Sequence, residues 1–325
     1  MSSGTSGGPT RRDFLAGLGR WGVAVPVAGV SGMAVASGGS PLESGRPAEG
    51  PGAGDGIGLA LGSGGASGLA HIRVFEVLDE LGVKPDRIVG SSIGALLGSL
   101  YADGYSGREI RELMADLFPD DARGWLENFT SGGWRRLTGL LNVNLLEIQL
   151  LDVDDTRDFL ANHLSARRFE ELSIPFQAVT AELWERGERL FDEGPLHDAI
   201  LASMALPGLL PPIRIDGVEL LDGGMVNPVP IDHIRGAEFT IGVDVNGRST
   251  PGDDSPGFFD SLFNTFQIMQ ASIAREKRHH EEPDIYLQPP IEGVRVLDFH
   301  KASSVYAQSE PEMERLKRAL EEYLG

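Results

Sequence analysis

Between residues 56 and 104 the chain passes twice from an apolar strand through a glycine-bearing turn into a helix. No other feature of the sequence constrains the fold as much. The first unit, GIGLALGSGGASGLAHIRVFEVLDELG (56–82), opens with Ile57–Leu61 and continues through the loop GSGGASG (62–68). Leu69, Ile72, Val74, Phe75, Leu78 and Leu81 then recur near the helical period. The second unit, DRIVGSSIGALLGSLYADG (86–104), runs from a short strand at Arg87–Gly90 through Ser91-Ser92-Ile93 into a small-residue helix. Strands alternating with helices, with both loops at strand ends, predict a three-layer α/β/α fold around a mainly parallel sheet.

Both turns carry residues with chemical uses. The first turn of a helix leaves backbone N–H groups unpaired, so a strand–glycine loop–helix unit is built to meet negative charge. A dinucleotide loop wants a third glycine where Ser67 stands, and a phosphate loop wants Gly-Lys-Ser/Thr where Gly68-Leu69 stand. Two readings remain. One is an oxyanion hole around Gly64 and Gly65, and the other is a tight turn using glycine only for positive φ. In the second unit Gly90, Ser92 and Gly94 fit G-x-S-x-G, the sharp turn that exposes a nucleophilic serine. A serine N-cap followed by small packing residues (Gly94, Ala95, Gly98) gives the same string.

A serine hydroxyl needs a base to become a nucleophile. Of the 7 histidines, none lies in a glycine-rich, turn-like setting. The stretch GVELLDGGMVNPVPIDHI (217–234) offers another base: a strand at Val218–Leu221 delivers Asp222 onto the turn Gly223-Gly224, stiffened downstream by Pro228 and Pro230. An aspartate with an ordinary pKa of about 3.9 is a poor base, so this role calls for a buried carboxylate with a raised pKa. The competing arrangement is a Ser92–Asp222–His233 triad in the chain order of α/β-hydrolases.

With these residues in view, the chain resembles the bacterial members of the patatin-like phospholipase family. The resemblance runs over roughly residues 57–305. It rests on GSGGASG (62–68), GSSIG (90–94), ASMALPGLLPP (202–212), DGG (222–224) with NPVP (227–230), and VLDFHKA (296–302). It implies a Ser–Asp dyad, with Ser92 as nucleophile and Asp222 as general base and then acid. It further implies Gly62, Gly64, Gly65 and Ala66 as the oxyanion and substrate-binding loop, with no cofactor or metal. The substrates implied are acyl esters of phospholipids, lysophospholipids or simpler lipids. A transacylase, or an exported lipid- or acyl-binding protein without turnover, would keep the same fold. One position departs from the family's pattern: Ser67 stands where Arg or Lys is usual. That side chain bears on loop rigidity and on preference for anionic head groups.

The N-terminal residues read as an address. Arg11-Arg12 precede Phe14-Leu15, a weakly apolar run follows, and Ala34-Val35-Ala36 supplies a small-x-small cleavage pattern. This resembles a twin-arginine export signal over 1–36, with a Gly/Pro/Ser-rich linker over 37–56 and the enzyme-like domain over 57–325. The expectation is export by the twin-arginine translocase to the periplasm, cell envelope or exterior. An N-terminal membrane anchor is the alternative, although the uncharged stretch Trp21–Ala36 is shorter than the roughly 20 residues that span a bilayer. A net charge of −20 excludes broad nucleic-acid binding and requires any transient membrane contact to be mainly apolar. Zero cysteines exclude a disulfide framework, a thiolate metal site and a cysteine nucleophile. The acidic, lysine-poor composition suits high salt, and a GC-rich genome would give the same pattern.

Elsewhere, Trp125–Leu151 reads as helices beside the sheet or as a lipid-facing lid. Residues 173–194 read as two strands joined near Gly187, and 235–245 as a buried strand. The segment 255–280 places Phe259, Leu262, Phe263, Phe266, Met269 and Ile273 on one helical face, a core helix before a membrane-docking one. A final helix, 308–324, reads as a solvated cover.

Overall fold

A β-strand shows alternate residues to opposite faces, and the core divides along that alternation. Leu59 and Leu61, Ile88, Ala178, and Ile285 and Leu287 belong to one buried cluster, while their neighbours Ala60, Val89, Val179 and Tyr286 belong to another. The sheet between the two clusters is thus covered on both sides, as a mainly parallel sheet must be. The computed structural model describes residues 56–119, 151–247 and 258–325. The expected signal, nearly all of the linker, residues 125–150 of the Trp125–Leu151 stretch and the side chain of Phe259 lie outside the described residues.

The parallel part of the sheet comprises β1 (Ile57–Leu61), β2 (Arg87–Ser91), β3 (Phe176–Glu182), β7 (Phe239–Val243) and β8 (Ile285–Leu287), paired in the order β3–β2–β1–β7–β8. Three further strands, β4 (Glu188–Phe191), β5 (Ile213–Ile215) and β6 (Val218–Asp222), join antiparallel, β4 and β6 on β3 and β5 on β6. The short strands β5 and β8 are additions to the sequence reading. Helices α1 (Ala70–Glu80), α2 (Ile93–Asp103) and α5 (Leu196–Ser203) bury apolar residues in the larger cluster, and α6 (Phe258–His280) sends Ala274 into the smaller one. The helices α3 (Gly107–Leu117) and α4 (Val153–His163) also feed the larger cluster, through Ile110, Met114 and Leu160. This is the expected α/β/α architecture.

Two helices differ from their sequence reading. The last, α7 (Ala302–Leu324), starts six residues earlier than expected and buries Val305, Met313, Leu316 and Leu320. It is a packed layer element with one wet face. In α6 the buried positions are Phe263, Gln270 and Ala274, whereas Met269 is 42% exposed and Ile268 71%. A polar glutamine occupies the inner face there, so a pattern that counts only apolar residues rotates the helix away from its true orientation.

The register on β3 brings distant segments together. Ala178 and Val179 pair with both β2 and β4, and Thr180 pairs with both β4 and β6. A strand has only two edges, so β2 and β6 share one edge of β3 and meet end to end. Ser91, the last residue of β2, lies opposite Val179, and Asp222, the last of β6, lies opposite Thr180.

Candidate active site

The end-to-end meeting of β2 and β6 sets Ser92 beside Asp222. Ser92 leaves β2 with φ 56° and ψ −121°, a region that non-glycine residues rarely occupy, and caps α2 from outside the helix. Its Oγ donates to Asp222 Oδ2 at 2.5 Å. The second carboxylate oxygen, Oδ1, accepts from the Gly224 N–H at 2.7 Å, so the Gly223-Gly224 turn fixes the carboxylate. Asp222 is 2% exposed. Burial pushes its pKa up to about 6, partly offset by the hydrogen bonds from Ser92 and Gly224, as a basic aspartate requires.

The motif glycines are needed where backbones touch. A Cβ at Gly94 would overlap the Leu61 carbonyl oxygen, one at Gly90 the Gly94 carbonyl oxygen, and one at Gly223 the Val179 carbonyl oxygen. Ser91, in the variable slot, is buried and its hydroxyl has no partner among the described residues.

The loop after β1 divides into anchors and free donors. The Gly62 N–H bonds the Val243 carbonyl at 2.9 Å, the Ser63 N–H that of Pro228 at 2.8 Å, and the Ala66 N–H that of Val296 at 2.8 Å. Gly62 and Ala66, which the resemblance puts in the oxyanion and substrate-binding loop, have their amides committed to holding that loop. The amides of Gly64 and Gly65 bond no described residue, and both residues line the pocket above Ser92. Gly65 sits at φ 58° with its Cα hydrogen facing Val296 O, where a Cβ would come within 2.5 Å. From below, buried His71 donates Nε2–H to the Gly62 carbonyl at 2.8 Å, and burial pulls its pKa down to about 4, keeping it neutral. Ser67, at the departing position, is buried.

No imidazole hydrogen-bonds Asp222, whose partners are Ser92 and Gly224. His233 bonds Glu188 of β4 instead, in a network where Asn227 reaches Glu188 and Asp232, and Lys277 of α6 reaches Asp232 at 2.6 Å. Burial lowers the His233 pKa, but the Glu188 hydrogen bond and the charges of Glu188 and Asp232 outweigh it, and the net shift is upward. In this structure the His233 imidazole meets Glu188 and not Asp222. Glu188, Asp232 and His233 also present atoms close enough to share a cation, but the Lys277 ammonium already supplies the positive charge there.

One residue escaped the sequence reading. Ser203, fully buried at the end of α5, accepts from the Ser92 N–H at 3.0 Å and donates to the Val179 carbonyl at 2.6 Å. It stands in ASMALPGLLPP, and only its neighbours' apolarity hints at burial. The same segment gives the Ala205 carbonyl to the Asp222 N–H at 3.1 Å. Met204, Leu206 and Leu209 wall the pocket, facing Phe263 and Phe266 of α6 and Phe299 of VLDFHKA.

A family model described as patatin-like phospholipase matches residues 59–234, more than half of the chain. The chain belongs to the patatin-like phospholipase family. The match contains the anchored loop, the serine turn and the Asp222 strand. Mouse (Mus musculus) patatin-like phospholipase domain-containing protein 7 is 30% identical to this family member over 281 residues, covering 78% of this chain and 20% of that protein. An uncharacterized NTE family protein of Mycobacterium tuberculosis is 35% identical over 193 residues, covering 59% of this chain and 49% of that one. The chain thus spans half or less of the length of these curated relatives. Among solved structures, VipD from Legionella pneumophila aligns over 81% of this chain and 67% of its own, with a TM-score of 0.41 and 14% identity.

Proposed function

We propose that this patatin-like protein hydrolyses carboxylic esters of lipids through an acyl-enzyme on Ser92, with Asp222 as its sole proton carrier. The observation that carries this reading is the 2.5 Å hydrogen bond from Ser92 Oγ, on a strained turn, to a buried carboxylate whose pKa lies at about 6. In the first half-reaction Ser92 Oγ attacks the ester carbonyl carbon as its proton passes to Asp222. Negative charge gathers on the carbonyl oxygen, where the Gly64 and Gly65 amides and the α2 N-terminus favour it. The C–O bond to the alcohol then breaks, and the alcohol leaves with the proton from Asp222. In the second half-reaction water attacks the acyl carbon and gives its proton to Asp222. Asp222 returns that proton to Ser92 Oγ as the carboxylic acid departs. The apolar pocket walls suit an acyl chain, in keeping with a relative named for a patatin-like phospholipase domain.

The test uses the full chain with p-nitrophenyl esters of graded chain length and with phospholipid vesicles, at low and molar salt. Ser92→Ala and Asp222→Asn are run alongside, and a fluorophosphonate probe reports the nucleophile. Turnover lost in both variants with folding intact, and probe attachment at Ser92, is the expected result. Wild-type chain inert toward every ester would overturn the reading in favour of an acyl-binding protein, and transfer of acyl groups to added alcohol in preference to water would make it a transacylase.

For the N-terminal residues we propose a twin-arginine signal over 1–36 and a tether over 37–56. Arg11-Arg12 with the Ala34-Val35-Ala36 pattern supports this. Replacing both arginines by lysine should retain a folded reporter fusion in the cytoplasm, and undiminished export would refute the assignment.

A further inference from the structure

The pocket above Ser92 is apolar on most sides, yet α6 lines it with two glutamines, Gln267 and Gln270, the second of them buried. Gln270 is 7% exposed, lines the same pocket as Ser92 and Asp222, and its side chain makes no hydrogen bond to any described residue. Gln270 Nε2 lies 2.5 Å from the point that a Cβ on Gly224 would occupy, and Ser63 Oγ lies 2.6 Å from the same point. The absence of a side chain at Gly224 is what lets the amide settle onto the turn that holds Asp222 through the Gly224 N–H. A buried amide with no partner among the described residues is a cost to the fold unless a ligand group completes its hydrogen bonds.

The mechanism says which ligand group arrives there. The departing alcohol takes its proton from Asp222, so its oxygen comes within hydrogen-bond reach of that carboxylate. The acyl carbonyl, by contrast, points at Gly64 and Gly65. Gln270 therefore stands on the alcohol side of the scissile bond, with Ser63 next to it. A primary amide both donates and accepts, which matches a hydroxyl group better than it matches an ether, an alkyl chain or a phosphate oxygen. We infer that Gln270 is a specificity-determining residue that hydrogen-bonds a free hydroxyl on the carbon adjacent to the one that bears the ester oxygen. It thereby selects esters of polyols such as glycerol over esters of simple alcohols. This deepens the hydrolase reading above and rests on it.

Glyceryl monobutyrate and ethyl butyrate share an acyl group and differ only in the alcohol. The experiment measures kcat/KM for both with the full wild-type chain, Gln270→Met and Gln270→Leu, and reads the ratio of the two values. A hydrogen bond lost only on the glyceryl ester lowers that ratio about tenfold in both variants. A variant that packs or folds poorly loses the same factor from both activities, which cancels in the ratio, so the ratio reports the hydrogen bond alone. A ratio within twofold of wild type in both variants overturns the assignment. Wild-type chain that turns over neither ester would overturn the hydrolase reading itself, a distinct result.

Discussion

Asp222 is held in a place where its charged form is unwelcome, so removing the charge should stabilise the protein while abolishing its chemistry. Burial raises the carboxyl from an ordinary 3.8 to about 6. At about 1.4 kcal/mol per tenfold change, the folded chain disfavours the ionised aspartate by about 3 kcal/mol relative to the unfolded chain. The sign follows from proton counting. Between pH 3.8 and about 6 the folded state binds more protons than the unfolded state, so this group's contribution to stability falls as pH rises through that window. Above about pH 6 the whole penalty is present. Asp222→Asn removes it. The amide keeps an oxygen for the Gly224 N–H and turns an N–H toward Ser92 Oγ, which then accepts where it had donated.

The expected gain for Asp222→Asn is thus about 3 kcal/mol at pH 8 and about half of that at pH 5. Urea unfolding of wild type and variant at both pH values measures it, with ester turnover followed on the same samples. Lower stability of the variant at pH 8 would refute the reasoning. So would a stability difference that stays the same from pH 5 to pH 8, because the gain would then not come from the carboxylate's charge.

The same carboxylate sets the activity profile: kcat/KM for p-nitrophenyl butyrate should rise with pH through about 6 and level off above it, and a flat profile from pH 5 to 7 would contradict a basic Asp222. Ser203→Ala strips partners from the Ser92 N–H and the Val179 carbonyl, so about 1–3 kcal/mol of stability should go. With the elbow relaxed, kcat should fall more than KM rises; a variant matching wild type in urea midpoint and kcat would show that Ser203 positions nothing. His233→Ala breaks the Glu188 contact but leaves Ser92 and Asp222 untouched, so ester turnover should stay within about threefold of wild type while the urea midpoint drops. Complete loss of turnover in a folded His233→Ala chain would restore the triad.

What the sequence could disclose here, and what it could not, follows from the range of each interaction. Gly90, Gly94 and Gly223 stand out in the sequence because a Cβ at each would strike a neighbouring carbonyl, so glycine is obligatory and visible. Asp222 stands out because an apolar strand ends on it before two glycines. Ser203 and Gln270 do not stand out, since a buried serine and a buried glutamine look like surface residues until their partners are known. The split of the glycine loop was likewise hidden: Val243, Pro228 and Val296 claim the Gly62, Ser63 and Ala66 amides from far along the chain, leaving Gly64 and Gly65.

The short apolar runs predict that β2, β3 and β6 are strands, but they carry no information about register. Register is what makes the site. Val179 faces the residue before Ser92 and Thr180 faces Asp222, so two consecutive residues of β3 fix the spacing of groups from opposite ends of the matched segment. A one-residue slip of β6 along β3 would turn the Asp222 side chain to the other face of the sheet and away from Ser92. The antiparallel direction of β6 in a mainly parallel sheet matters as much as its register. With β6 end to end with β2 on one edge of β3, its antiparallel direction is what brings its C-terminal residue, and not its N-terminal one, to the C-terminal end of β2.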